Sequence, residues 1–349
     1  MPARRSRLNL LNIFLWVLGG GILALAGTGA FLTLAQGRLS AEQWQSLIIA
    51  GIALGSVYAL IALGYTLVYG ILFMINFAHG EVFMWGAFTA YFAATALNDA
   101  GMMDANPVLA FLLVLATAML VSMLVAVMLE RIAYRPLRGA PRLVPLITAI
   151  GASLFLQYTA RGFYGSGVRA YPSNNLFAGD ITLGPLTIPM EDVVVVVAAV
   201  TLMLALYFFI ERTRTGRAMR AVSEDKDVAA MMGINVDRII VITFAIGGLL
   251  AGAAGILYTL LFNQVHFFMG FFPGIKAFTA AVLGGIGNIF GAALGGLALG
   301  VLEQLGPNLF LTGFNIPAPN QLKDVIAFGV LVLVLIFRPS GFLGRKESV

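Results

Sequence analysis

Runs of about 20 apolar residues recur along nearly the whole chain, separated by short polar segments. A helix rising 1.5 Å per residue needs that length to cross a ~30 Å hydrocarbon core. The runs predict spans over Asn9–Ala35, Trp44–Tyr69, Ile71–Leu97, Val108–Leu129, Leu143–Tyr164 and Val193–Ile210. Beyond a charged interruption, further spans are predicted over Ile239–Phe262, Ala277–Leu302 and Val325–Phe337. The alternating pattern of a membrane β-barrel is missing. The expectation is an all-α polytopic membrane protein of about 8–10 transmembrane helices.

Two stretches interrupt the apolar pattern within the membrane. The first is Met74-Ile75-Asn76-Phe77-Ala78-His79-Gly80-Glu81. The second, Phe271–Leu302, holds Pro273-Gly274, Lys276, and then Gly284-Gly285-Ile286-Gly287-Asn288. Backbone that leaves the helix at membrane depth survives only when buried in protein or lining a watery cavity. Gly80, Gly284, Gly285 and Gly287 are therefore the candidate helix-break positions. One interruption falls in each half of the chain, which suggests a pseudo-symmetric repeat of broken or re-entrant helices.

Charge orders the loops. Arg4, Arg5 and Arg7 precede the first span, and four arginines lie between Arg131 and Arg142. Six basic residues fall between Arg212 and Arg238, and Arg338, Arg345 and Lys346 follow the last span. Those segments carry 16 of the 21 Lys and Arg, which marks them as cytoplasmic and places the C-terminus inside. The loops at Asn98–Pro107 and Gly165–Met190 carry Asp99, Asp104 and Asp180 against Arg169 and read as external. Nine spans cannot join two cytoplasmic termini, so Phe271–Leu302 is expected to fold as two shorter helices about its Gly-rich turn. The first span, with basic residues before it, reads either as a secretion signal or as a retained helix. Its length and poor cleavage site favour the retained helix.

Composition narrows the function. Of 349 residues 60% are hydrophobic and 11% charged, which excludes a soluble enzyme or nucleic-acid-binding domain. With no Cys and only His79 and His266, neither a thiolate nor a multi-histidine metal centre is expected, and no cofactor is called for. No P-loop motif occurs, so ATP hydrolysis by that route must belong to other subunits. A membrane enzyme using His79 and Glu81 as acid and base would need more converging polar groups than the chain offers. A passive channel or anchor would leave the charged segment at 212–238 unexplained.

That segment mixes Arg217, Arg220, Ser223, Glu224 and Asp225 with Ala221, Val222, Val228, Ala229, Ala230, Met231 and Met232 before Gly233. It reads either as a solvated loop or as a short amphipathic helix that docks on a cytoplasmic partner. Within the spans, Asn76, His79 and Glu81 sit near the first interruption, and Lys276, Asn288 and Glu303 near the second. Such groups hydrogen-bond broken helices together, line a substrate path, or snorkel to an interface. Lys276, near the external edge, is the candidate for snorkelling. His79 and Glu81, two residues apart, do not share a helical face.

Three runs carry a resemblance: GSVYALIALGYTLVYGILFMINFAHGEVFMWGAF (Gly55–Phe88), RTGRAMRAVSEDKDVAAMMGINVDR (Arg214–Arg238) and GIKAFTAAVLGGIGNIFGAALGGLALGVLE (Gly274–Glu303). They resemble the branched-chain amino-acid ABC transporter permeases, and among them the H-type permease of the high-affinity leucine/isoleucine/valine system. The likeness runs from about Trp44 to Arg345. It divides the chain into a 1–43 extension with an extra helix and a 44–345 permease domain with a coupling segment at 212–238.

The resemblance implies a permease subunit of a binding-protein-dependent importer in a bacterial inner membrane. Its implied partners are a second related permease, two ATP-binding cassette subunits, a periplasmic substrate-binding protein and membrane lipid. The coupling residues it implies are Arg217, Arg220, Ser223, Glu224, Asp225, Ala229, Ala230 and Gly233. Ala229-Ala230-Met231-Met232-Gly233 is similar to the Glu-Ala-Ala…Gly coupling motif, but lacks the Glu and shortens the gap to Gly. Asn76, His79, Glu81, Lys276 and Asn288 are the substrate-path candidates. The implied cargo is leucine, isoleucine and valine; urea or a short-chain amide is the alternative.

Overall fold

The computed structural model describes residues 10–141, 143–172, 179–184, 186–338 and 340–344, with the side chains of residues 10–12 and 183 left out. Arg4, Arg5, Arg7, Arg142, Arg345 and Lys346 lie outside the described residues, as does Asn9.

The long helices are α1 (Leu10–Ala35), α2 (Ala41–Leu72), α3 (His79–Asp99), α5 (Pro107–Leu129), α6 (Leu143–Tyr164) and α7 (Met190–Arg212). They continue as α10 (Val236–Phe262), α11 (Phe271–Gly284), α12 (Ile289–Leu311) and α13 (Lys323–Phe337). Short helices α4 (Met102–Ala105), α8 (Arg214–Glu224) and α9 (Lys226–Met231) lie in the connections. Among the described residues, α1, α2, α5, α6, α7, α10, α12 and α13 are long and apolar enough to cross a membrane. With α3 and the shorter α11, ten helices build the bundle, an even number.

Local chemistry sets the boundaries. α2 starts three residues before Trp44 because Ser40 caps it: its Oγ accepts from Gln43 N while the Gln43 side chain accepts from Ser40 N. Pro273 does not break α11, contrary to the sequence expectation. It occupies the third position, in the first turn, where a missing N–H removes no intrahelical bond. The hairpin expected within Phe271–Leu302 is present, closed by the turn Gly285–Asn288. There Gly285 (φ 103°) and Gly287 (φ 92°) take backbone conformations that other residues rarely adopt.

One end of the bundle gathers the basic connections. A π-helical turn, Glu130–Tyr134, extends α5. Beyond it Arg135 reaches Asp237 at the start of α10 (2.7 Å), and Arg138 bridges Glu130 and Asp237. The α11–α12 turn meets the C-terminal segment here, where Phe342 N and Leu343 N donate to the carbonyls of Leu283 and Gly284. At the opposite end β1 (Arg169–Ala170) pairs antiparallel with β4 (Gln264–Val265), and β2 (Asp180–Leu183) with β3 (Leu186–Pro189).

The core is an inverted repeat. α2 packs on α12 as α10 packs on α5. α3 meets α5 and α6, while α11 meets α12 and α13; α3 also rests on α10 and α11 on α2. α2 and α10 start from opposite ends, which makes the repeat inverted. Both stop at a left-handed residue, Phe73 (φ 54°) and Asn263 (φ 52°), whose N–H returns to the carbonyl four residues back. Small residues allow the central contacts. A Cβ on Gly55 would lie 2.8 Å from Leu297 Cα, and one on Gly300 would collide with the Gly55 backbone.

Helix α1 lies along α12, its buried Thr33 accepting a hydrogen bond from Gly313 N (2.8 Å).

Candidate functional site

The two breaks meet inside the bundle. Residues 73–78 turn back from the basic end, and α3 begins with His79 packed at Gly64, two turns short of the end of α2. From the other end the chain re-enters through 263–270 and begins α11. Gly80 and Gly270 abut backbone to backbone, with Gly274 and the Tyr65 hydroxyl beside them. The second break therefore lies ahead of Pro273, and Gly80 is the second residue of a helix, a close-approach position.

The polar residues of the first break face three ways. Asn76 Oδ1 accepts from Tyr134 Oη (2.6 Å) and Ala78 N (3.1 Å), tying the break to the π-turn after α5. His79 is buried edge-on against Tyr65, with ring centroids 4.8 Å apart. Glu81 points to α6, where Ser153 Oγ (3.3 Å) and Gln157 Nε2 (3.4 Å) reach its carboxylate. Those α6 residues are spaced i, i+4 on one face. Tyr134→Phe removes one donor from the buried Asn76 latch, an expected loss of about 0.5–1.5 kcal/mol. Thermal unfolding of the detergent-solubilised chain checks it.

The second polar group is ionic. Lys276 does not snorkel; its side chain is 8% exposed and its Nζ contacts Glu303 Oε1 (2.7 Å) and Asp324 Oδ1 (2.6 Å). The reason is partnership, because a lone ion at membrane depth costs at least about 2.5–3.5 kcal/mol. Glu303 is buried on α12, whereas Asp324, first-turn acid of α13, is half exposed. Lys323 Nζ donates to Gln304 Oε1 beside them (2.7 Å). Asn288 stands apart, at the basic end: its Oδ1 accepts from Gly291 N to cap α12 and its Nδ2 donates to Leu343 O.

The charged segment forms two short helices with a bend at Asp225. Thr213 caps α8, and Asp225 Oδ1 accepts from Asp227 N and Val228 N to cap α9. Arg220 pairs with Glu211 (2.8 Å) and donates to Ile210 O, fastening α8 to α7. Ala229 is buried against the bundle, and Gly233 (φ 83°) ends the unit. Met231 and Met232, each 78% exposed, and half-exposed Val228 form an apolar patch directed away from the bundle. Lys226 sits over the Phe73 ring (5.7 Å), so α9 touches the residue that ends α2. Burial, then the nearby Arg138 charge, lowers the pKa of Lys226.

A family model described as the permease component of the branched-chain amino acid transport system matches residues 47–335. The chain belongs to this permease family. It is 46% identical over 303 residues to the high-affinity branched-chain amino acid transport permease BraD of Pseudomonas aeruginosa, covering 86% of this chain and 95% of BraD. It is 44% identical over 305 residues to LivH of Escherichia coli K12, a permease of the same description, covering 85% and 94%. The permease is thus a multi-pass membrane protein. Helix α1 precedes the matched region.

Sequence reasoning about the permease missed several partners. Tyr134, Ser153 and Gln157 were hidden in ordinary apolar context, although the i, i+4 polar pair on α6 was a usable signal. Asp324 stands at the mouth of the last span beside Lys323, and its join to Lys276 depends on how α11 and α13 fold together.

Proposed function

We propose that this permease is the transmembrane subunit of a binding-protein-dependent importer that moves leucine, isoleucine and valine across a bacterial inner membrane. The observation that carries this reading is near-full-length similarity to BraD and LivH, both named for branched-chain amino acids. That similarity favours branched-chain cargo over urea or a short-chain amide.

Its proposed partners are a second related permease, two ATP-binding cassette subunits that supply the energy, and a periplasmic substrate-binding protein. The basic end, with the C-terminus, faces the cytoplasm by the charge rule. α9 and the residue that caps it then present Val228, Met231 and Met232 to an ATPase groove, and polarizable Met suits such a contact. Through Lys226 on Phe73 and Arg220 on α7, movement of α8 and α9 reaches α2 and α7 as rigid-body displacement. Arg217, Ser223, Glu224, Ala230 and Gly233 complete the proposed coupling unit. Asn76, His79, Glu81 and Lys276 remain the proposed polar elements of the path, with Asn288 at its cytoplasmic margin.

The test is uptake of labelled leucine, with urea in parallel, in cells carrying or lacking this chain beside its transporter genes. ATP-dependent leucine uptake that requires the chain is expected. Urea uptake alone would overturn the cargo.

A further inference from the structure

The residues between α2 and α3 are held at two points by segments of the basic end. Lys226 of α9 lies over the Phe73 ring at their start. Nearer their end Tyr134 Oη donates to Asn76 Oδ1 (2.6 Å), and the same oxygen accepts from Ala78 N. Tyr134 is the last residue of the π-turn, buried with its ring against Phe244 of α10 (5.6 Å). Glu130, the first residue of that turn, is fully buried and pairs with Arg138. Arg138 is shared, because it also pairs with Asp237 in the first turn of α10, just beyond the end of α9.

The Glu130–Arg138 pair is incomplete. Glu130 Oε2 and Arg138 Nε are both buried without a hydrogen-bond partner among the described residues. A guanidinium and a carboxylate pair most strongly as a two-bond fork, and the open donor and open acceptor are the missing half of one. Arg135 also holds Asp237 (2.7 Å), so Arg138 can leave without stranding that carboxylate. Lys226 stands close enough for its charge to repel Arg138, which makes Arg138 sensitive to the position of α9. A π-turn lies between two helical registers, and re-winding it by one residue turns its far end by about 100°.

We infer that the π-turn Glu130–Tyr134 is a second coupling arm, in which Arg138 passes from sharing with Asp237 to a closed fork on Glu130 and Tyr134 carries the change to Asn76. While Arg138 is shared, the turn keeps Tyr134 on Asn76. When α9 is displaced, Arg138 leaves Asp237 to Arg135, closes both bonds on Glu130 and re-winds the turn, which releases the start of α3. Tyr134 and Arg138 are positioning residues, acting on the path through Asn76 without touching cargo. The inference rests on the importer reading above and adds residues outside 212–238 to its coupling unit. A staple between helices would serve stability alone and would leave the leucine carried per ATP unchanged.

The test measures leucine accumulated per ATP hydrolysed in proteoliposomes holding the chain with the proposed second permease, ATPase subunits and binding protein. Asp237→Asn, at the half-exposed end of the arm, and Tyr134→Phe, which keeps the ring against Phe244, are compared singly and together. Each single variant is expected to lower the ratio by about threefold or more while ATP hydrolysis continues. The double variant is expected to fall no further than the worse single one, because both ends belong to one arm. A wild-type ratio in either single variant overturns the arm and leaves the importer reading standing. So does a double variant whose loss is the product of the two single losses, since the ends would then act independently. If Tyr134→Phe does not assemble, Arg138→Lys, which keeps the charge but cannot form the fork, takes its place under the same criteria. A wild-type complex that moves no leucine overturns the importer reading, and the arm with it.

Discussion

Replacing Gly300 with valine is expected to abolish a stable permease, the largest structural effect of any single substitution considered. A Cβ there would collide with Cα and N of Gly55 on α2, and a valine adds two further methyl groups. Overpacking typically costs about 1–3 kcal/mol when side chains can shift. Here the obstacle is backbone, in the α2–α12 contact at the core of the repeat, so the expected loss is at or above the top of that range. The control is Gly27→Ala on α1, where an added Cβ meets nothing within 4 Å. Fluorescence-detected size exclusion of detergent extracts should show no folded peak for Gly300→Val and an unchanged one for Gly27→Ala. A normal peak for Gly300→Val would mean that the two helices are not pressed together as described.

The second large effect concerns coupling. Met231→Glu/Met232→Glu places two carboxylates at the last residue of α9 and the residue that caps it, each 78% exposed, where the folded chain itself makes little use of the methionine side chains. Membrane insertion and the thermal stability of the isolated chain should stay within about 0.5 kcal/mol of wild type. Charged groups in the middle of an apolar interface would lack partners, so co-purification of the ATPase subunits and leucine uptake are expected to fall at least tenfold. Retained uptake would remove α9 from the ATPase interface. Loss of the chain from the membrane would show that the methionines serve the fold instead.

Length and hydropathy carried most of the architecture, because in a bilayer a helix must satisfy its own backbone and so declares itself as a long apolar run. The parity of crossings requires a hairpin within Phe271–Leu302, and α11 and α12 form it. Sequence reasoning failed where tertiary contacts decide. Ile71–Leu97 read as one span, yet α2 runs on to Leu72 and α3 resumes only at His79. Nothing local marks the left-handed Phe73 that separates them, since aromatic residues seldom adopt that conformation. Pro273-Gly274 looked like the second break, but a proline in a first helical turn is harmless, and the break at 263–270 contains no proline.

The polar residues were picked out by type, but the company they keep was not legible. Asn76, His79 and Glu81 fall within six residues and engage three different elements, π-turn, α2 and α6. From sequence Lys276 reads as interfacial, because only its distance from the span end is visible there. The two carboxylates that allow it to stay buried come from positions 27 and 48 residues downstream. Partners so distant are joined by topology alone.

As proposed above, this chain forms the membrane path of an ATP-driven importer of branched-chain amino acids. The most direct measurement is accumulation of labelled leucine by proteoliposomes containing the chain with the proposed second permease, ATPase subunits and binding protein, with ATP supplied on the ATPase side. Leucine is expected to accumulate against its gradient, and to stop doing so when this chain is omitted or ATP is replaced by a non-hydrolysable analogue. Accumulation that persists without the chain, or a complete complex that hydrolyses ATP and moves no leucine, would contradict it.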